Sequence, residues 1–275
     1  MAYKRILTIQ DISCVGQCSM TVALPILSAC GQETCILPSA VLSTHTGGFG
    51  RPAVRDLTQD LPEMARHWQS QGITFDYIYT GYLGSIQAIE YASRIMDSLL
   101  APGGKIIVDP AMADHGKLYS GFDEGYAGAM GTLCRRADVM LPNITEAAMM
   151  TGLPYQERFD RTYIEELMAK LGGKDVLLTG VGFAPEETGF ALRTEGGIRY
   201  YHHQRIGRGY HGTGDIFASC FTGAWAGGKD MFRAAQIAAD FVCRSIENTY
   251  TDPAHWYGVK FETAIPTLVR MLEET

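Results

Sequence analysis

The five residues His211-Gly212-Thr213-Gly214-Asp215 run directly into the apolar stretch Ile216-Phe217-Ala218-Ser219-Cys220-Phe221. Two glycines let a backbone approach a ligand closely, and a helix starting there points unpaired N–H groups at it. That geometry suits a phosphate or a developing oxyanion. A carboxylate in the helix's first turn is placed to take a proton from a nearby hydroxyl. Anion hole and base together are the minimum apparatus for moving phosphate onto an alcohol. The alternative is structural: Gly-Thr-Gly is a turn, and Asp215 complements the positive end of a helix dipole. A free Asp has a pKa of ~4, so Asp215 would be a weak base, acting late, as the hydroxyl oxygen bonds to phosphorus.

A second set of oxygen donors sits just after short apolar runs. Asp109 follows Val108, Asn143 and Glu146 follow Leu141, Thr179 follows Leu178, and Gln10-Asp11 follows Ile9. Asp109, Asp114, Asn143 and Glu146 are hard oxygen ligands of the kind that suits Mg²⁺, which keeps several waters and takes few protein oxygens. Asn143-x-x-Glu146 reads equally well as a helix-capping box, with Glu at the third position.

These residues need a scaffold, and the apolar pattern supplies one. Ile6-Leu7-Thr8-Ile9, Thr34-Cys35-Ile36-Leu37, Tyr77-Ile78-Tyr79-Thr80, Lys105-Ile106-Ile107-Val108-Asp109, Val139-Met140-Leu141 and Val176-Leu177-Leu178-Thr179 read as strands. Their apolarity is often continuous rather than alternating, which fits strands buried on both faces of a parallel sheet. Helical patterns over 21–27, 57–71, 86–100, 145–151 and 162–171 separate them, predicting a doubly wound α/β sheet. A hairpin is expected from 189–193 and 198–202, followed by helices over 214–226 and 231–248. With no repeat, low-complexity segment or linker, the chain is expected to be one domain over 1–275. Ligands of open α/β sheets bind beyond the carboxyl ends of the strands, where the polar clusters fall.

The chain has 275 residues, 19% charged and 46% hydrophobic, with a net charge of −7. That balance excludes a phosphate-tracking nucleic-acid surface, which needs a basic excess. Seven cysteines scattered along the chain imply free thiols in a reducing compartment rather than a disulfide framework. No signal-peptide pattern and no apolar run of roughly 20 residues occurs, so a cytoplasmic protein without a membrane partner is expected. Gly-x-x-x-x-Gly-Lys-Ser/Thr is missing, which disfavours a P-loop NTPase. Phe217 occupies the third glycine position of a dinucleotide fingerprint, which disfavours a Rossmann dehydrogenase. His-Glu-x-x-His and Gly-x-Ser-x-Gly are also missing.

Gly212-Thr213-Gly214-Asp215, Asn143-Ile144-Thr145-Glu146 and Asp109-Pro110-Ala111-Met112-Ala113-Asp114 together resemble the ribokinase superfamily. Ser43-Thr44-His45-Thr46-Gly47 and Gly81-Tyr82-Leu83-Gly84-Ser85 are similar to its pyridoxal/pyridoxine/pyridoxamine (vitamin B6) kinases, in the family's order from Ile6 to about Asn248. The resemblance implies a ribokinase-like three-layer α/β sandwich, with a mostly parallel central sheet and helices on both faces. It implies ATP-dependent phosphorylation of a vitamin B6 5′-hydroxymethyl group, with hydroxymethylpyrimidine or its phosphate as the alternative acceptor. It makes Asp215 the base and Gly212, Thr213 and Gly214 the anion hole. Asn143 and Glu146 would organise Mg²⁺ and its waters, and Asp109 and Asp114 would lie beside metal and phosphates. Thr179 and Thr213 would touch ATP, and His45, Thr46 and Tyr82 would meet the pyridine ring. The family also commonly uses a monovalent cation near the nucleotide, and relatives are often homodimers.

Two positions depart from that pattern. Asp11 stands where these kinases usually carry a ring-facing Ser, so it is expected on the substrate side. His211 precedes the anion hole where many relatives have a small residue. The loop 205–211, with Gly207, Gly209, Arg205 and Arg208, reads as a flap over the phosphates or as a simple connector; His202 and His203 read as hairpin residues.

Overall fold

The computed structural model describes residues 2–207 and 209–274. Arg208, one of the two arginines of the expected flap, lies outside them. In chain order the elements are β1 (Arg5–Ser13), α1 (Met20–Ala29), β2 (Glu33–Leu42), β3 (Val54–Asp56), α2 (Leu61–Ser70), β4 (Phe75–Thr80), α3 (Ile86–Leu99), β5 (Leu100–Val108), β6 (Ala113–Asp114) and β7 (Lys117–Leu118). There follow α4 (Glu124–Cys134), β8 (Val139–Met140), α5 (Ile144–Thr151), α6 (Arg161–Leu171), β9 (Asp175–Thr179), β10 (Glu187–Thr194), β11 (Gly197–Gln204), α7 (Thr213–Ala226), α8 (Met231–Glu247) and α9 (Ile265–Glu273).

Nine strands form one sheet in the order β11-β10-β9-β8-β5-β4-β1-β2-β3. The pairs from β9 through β8, β5, β4 and β1 to β2 are all parallel. Antiparallel strands flank them, β10 and β11 on one side and β3 on the other. Consecutive side chains of β1 show why the strand sequences are continuously apolar. Leu7 and Ile9 pack with α2, α3, α4, α5 and α6 on one face, while Ile6 packs with α1, α7, α8 and α9 on the other. All three are fully buried. Burying a side chain of this size stabilises the fold by about 1.5–3 kcal/mol relative to exposure. The fold is therefore the expected three-layer α/β sandwich.

The expected strands and helices recur, most of them somewhat longer than the apolar runs implied. Five elements were not anticipated: the exposed β3, the two strands of the small β6–β7 hairpin, α4 and α9. Helix α4 carries Gly125, Gly128 and Gly131, so its sequence lacks helix propensity and it depends on burial of Tyr126, Met130 and Leu133. The predicted helix over 57–71 begins late, its first residues forming a 3-10 turn at Thr58–Asp60 before Pro62 near the start of α2. Among the described residues, no helix is long and apolar enough to cross a membrane.

Candidate active site

Strands β1, β5, β8 and β9 run parallel, so Asp11, Asp109, Asn143 and Thr179 emerge at or beyond their carboxyl ends on one edge of the sheet. Helix α7 starts at the same edge. Its N-cap, Gly212, has φ 78° and ψ −3°, a left-handed conformation that favours glycine. A Cβ there would also lie 1.8 Å from the Gln17 carbonyl oxygen, so this position is closed to any other residue as the chain stands. Gly212 offers no side-chain cap, leaving the first-turn N–H groups of α7 available to a ligand. Thr213 Oγ1 donates to the Tyr210 carbonyl at 3.1 Å. The space above Gly214 is open: among the described residues, no atom beyond its chain neighbours and the helix's own backbone lies within 4 Å of where a Cβ would be.

Asp215 occupies the first turn of α7. Burial pushes its pKa up to about 7; a hydrogen bond from the Ser19 N–H pulls it down, and the neighbouring Asp11 charge raises it. The carboxylate is thus a much better proton acceptor near neutral pH than a free Asp. Ser19 had no signature in the sequence. It sits just ahead of α1 with φ 56° and ψ −127°, a conformation an L-residue rarely adopts. Its N–H reaches Asp215 and its hydroxyl reaches Asp11. Such strain persists only where the surroundings over-determine it. Asp11 is 3% exposed and accepts from Ser13 Oγ at 2.9 Å; burial raises its pKa against the two serine hydrogen bonds.

The second group centres on Glu146. Its Oε1 accepts from the Met112 and Ala113 N–H groups at 2.9 and 3.4 Å, and its Oε2 from the Asn143 N–H at 2.8 Å. Asn143 Oδ1 accepts from the Glu146 N–H at 2.9 Å, and its Nδ2 donates to the Ala113 carbonyl at 2.8 Å. The capping box read in the sequence therefore exists, and it also pins the 109–114 loop. Burial lifts the Glu146 pKa to about 7 in spite of these backbone bonds. Asp109, also buried, accepts from the Ala111 N–H at 3.1 Å. Burial, then the Glu146 and Asp215 charges, hold its pKa well above the usual carboxylate range.

Asp114 is not brought into this buried group. The turn through Ala111 (φ 38°) and His115 (φ 49°) leaves it exposed, and its Oδ2 lies 3.5 Å from the adjacent His115 ring. Thr179 closes the edge, its N–H donating to the Pro142 carbonyl at 2.9 Å and its hydroxyl to the same oxygen at 3.4 Å. Among the described residues no three His, Cys, Asp or Glu side chains converge into a closed metal cage. Asp109 and Glu146 are a pair of buried carboxylates, oxygen donors of the kind a hard divalent ion takes when it keeps its waters and binds mainly through phosphate.

On the opposite side, Tyr82 is half-buried, its ring 5.3 Å from that of Phe122. Burial and then the Asp11 charge raise its pKa, which puts Asp11 beside it. His45 is spoken for by backbone: Nε2 donates to the Tyr257 carbonyl at 2.7 Å, and Nδ1 accepts from the Gly47 N–H at 3.0 Å. Those bonds define the neutral Nε2–H tautomer, and burial lowers its pKa. It can offer a ligand its ring but not a free nitrogen. Thr46 is exposed in the same loop. His211 packs 5.0 Å from the His45 ring and fills the space a Cβ on Gly47 would need. It therefore ties the anion-hole turn to the 43–50 loop, a role the sequence did not suggest. His202 and His203 lie in β11, as expected.

Residues 39–258 match the family Phosphomethylpyrimidine kinase. The chain is 31% identical to a hydroxymethylpyrimidine/phosphomethylpyrimidine kinase of Bacillus subtilis over 77% of each sequence. Its structure superposes on a pyridoxal kinase from Lactobacillus plantarum with a TM-score of 0.90 and 32% identity, covering 98% of both chains. A Bacteroides thetaiotaomicron protein named as a phosphomethylpyrimidine kinase and crystallised with pyridoxal superposes with a TM-score of 0.91 and 32% identity, covering 96% of this chain and 95% of that one.

Proposed function

This chain belongs to the phosphomethylpyrimidine kinase family, of the ribokinase-like superfamily, and is an ATP-dependent kinase; from that premise we propose that it phosphorylates the 5′-hydroxymethyl group of a vitamin B6 vitamer. The observation that carries the choice of acceptor is the match to a pyridoxal kinase over 98% of both chains. Acceptance of hydroxymethylpyrimidine is the second reading, favoured by the Bacillus subtilis relative.

Phosphoryl transfer passes through a loose transition state, so catalysis is positioning and charge stabilisation. The substrate hydroxymethyl oxygen attacks the γ-phosphorus of ATP, the new O–P bond forms as the bond to the ADP oxygen breaks, and the hydroxyl proton passes to Asp215. The amides opening α7, at Thr213, Gly214 and Asp215, stabilise charge on the moving group. With a pKa of about 7, Asp215 is matched to accepting that proton near neutral pH. Ser19 fixes the carboxylate through its N–H. Bound Mg²⁺ would supply charge neutralisation on the phosphates. Asp109 would hold it, with Glu146 fixing the loop and a water position and Asn143 fixing Glu146. Thr179 and Thr213 would face the nucleotide, Asp114 would stay at the rim, and Tyr82, Thr46 and the His45 ring would border the pyridine. A single kinase domain, a monovalent cation near the nucleotide, a homodimer and a cytoplasmic location complete the proposal.

The test is ADP production by the purified protein with ATP and Mg²⁺ over pyridoxal, pyridoxine, pyridoxamine and hydroxymethylpyrimidine. The proposal expects kcat/KM on at least one vitamer to exceed that on hydroxymethylpyrimidine. The reverse ranking would transfer the assignment to the pyrimidine.

A further inference from the structure

The turn that opens α7 is bracketed by Gly209 and Gly212, so its backbone has little stiffness of its own. Where it sits is set largely by the surfaces that its side chains meet. Tyr210 packs against the core cluster around α7 and α8. The next residue, His211, is exposed and turns the other way, its ring 5.0 Å from that of His45 and tilted by 42°. It occupies the space that a Cβ on Gly47 would need. His45 is itself fixed. The Tyr257 carbonyl and the Gly47 N–H hold its two nitrogens, Phe49 meets it edge-on at 4.9 Å, and the Gly16 backbone lies so close that a Cβ there would collide with the ring. Trp256 closes the outer side of this loop, 4.7 Å from the Phe49 ring and over Gly48. The anion-hole turn and the 43–50 loop therefore meet through one pair of rings, His211 on His45.

We propose, resting on the reading that the 43–50 loop borders the acceptor ring, that His211 is a positioning residue through which acceptor and nucleotide bind cooperatively. An acceptor seated against the His45 ring and Thr46 restrains this loop. The restrained loop holds the His211 ring, and that ring holds the turn whose amides, at Thr213, Gly214 and Asp215, receive the γ-phosphate. Each ligand favours the arrangement that the other requires. The linkage is reciprocal, so nucleotide tightens the acceptor by the same factor by which acceptor tightens nucleotide. The contact is one aromatic pair, which sets that factor at about twofold to tenfold. Packing of the ring carries the effect, not a hydrogen bond from its nitrogens, so a phenyl ring serves in its place. An anion hole fully set only beside an acceptor also limits transfer of phosphate to water.

The experiment is calorimetric titration of the full chain, in Mg²⁺, with a non-hydrolysable β,γ-methylene analogue of ATP, with and without saturating pyridoxal. It is run on the unaltered protein, His211→Ala and His211→Phe; the position is exposed, so both variants are expected to fold. The readout is the ratio of the two affinities. Pyridoxal should tighten the analogue about twofold to tenfold in the unaltered protein and in His211→Phe, and not at all in His211→Ala. Affinity lost in His211→Ala equally with and without pyridoxal would overturn the inference, because the side chain would then serve the phosphates alone. Loss of the ratio in His211→Phe as well as in His211→Ala would overturn it too, since a nitrogen rather than ring packing would be responsible. An unaltered protein whose nucleotide affinity responds to neither pyridoxal nor hydroxymethylpyrimidine would overturn it even if both variants failed to fold. Tightening by hydroxymethylpyrimidine but not by pyridoxal would instead remove the vitamin B6 reading and leave the coupling through His211 standing.

Discussion

Asp215→Asn is expected to lower turnover by at least about a hundredfold and at the same time to stabilise the fold at alkaline pH. The shape of the side chain is retained, and its amide oxygen can still accept from the Ser19 N–H. What disappears is a carboxylate whose pKa stands at about 7 in the folded protein against 3.8 for the free group. The folded state thus binds this proton more tightly than the unfolded chain does, so stability falls as pH rises through the window between those values and the full penalty is present above pH 7. A difference of about three pH units corresponds to about 4 kcal/mol. Because Asp215 keeps some contact with solvent, about 2 kcal/mol is the expected gain for Asn at pH 8, shrinking steadily as pH falls toward 4. Asp109 and Glu146 are present in both proteins, so their direct contributions cancel to first order. The assay is urea denaturation of the two proteins at pH 5 and pH 8. An Asn variant less stable than the parent at pH 8, or a difference that does not change with pH, would refute the reasoning.

Three further outcomes follow from the same geometry. Glu146→Gln should lower stability by about 1–3 kcal/mol, read by thermal melting, because both carboxylate oxygens accept backbone N–H groups and an amide nitrogen can accept none; it should also raise the Mg²⁺ concentration needed for half-maximal rate, and unchanged values of both would remove Glu146 from the site. Gly212→Ala, with a left-handed φ and a methyl driven against the Gln17 carbonyl, should reduce kcat by at least about tenfold, whereas near-parental kcat would show that the anion-hole turn is not constrained. The kcat/KM profile for pyridoxal should rise with unit slope on the acid side and level off near pH 7, as the free-enzyme Asp215 loses its proton; a limb near pH 4 would mean that burial does not govern this carboxylate.

The parts of the fold that were legible in the sequence are those fixed by two-sided burial. Ile6, Leu7 and Ile9 have no solvent face, so the strand reads as continuous apolarity whatever surrounds it. Helix α4 was not legible because three glycines dilute its pattern, and β3 because all three of its residues are exposed. At the site, motif spacing located the α7 turn and the Asn143–Glu146 cap, since both depend on contacts within a few residues. It did not locate Ser19, whose role arises from a backbone conformation that residue type does not announce. Nor did it foresee that the turn at Ala111 and His115 would carry Asp114 outward, or that Tyr257 and Gly47 would claim both nitrogens of His45. Such outcomes depend on segments distant in sequence, and no local pattern encodes them. The altered basicity of Asp215 is of the same kind: the residue was legible, but its burial was not.

The most direct measurement is product identification by mass spectrometry. The purified protein is given ATP, Mg²⁺ and an equimolar mixture of pyridoxamine, pyridoxal, pyridoxine and hydroxymethylpyrimidine, alongside Asp215→Asn under the same conditions. The account predicts vitamin B6 5′-phosphates as the principal products, with initial rates at least about a hundredfold lower for the Asn variant. Hydroxymethylpyrimidine phosphate as the principal product, or comparable rates from the two proteins, would contradict it.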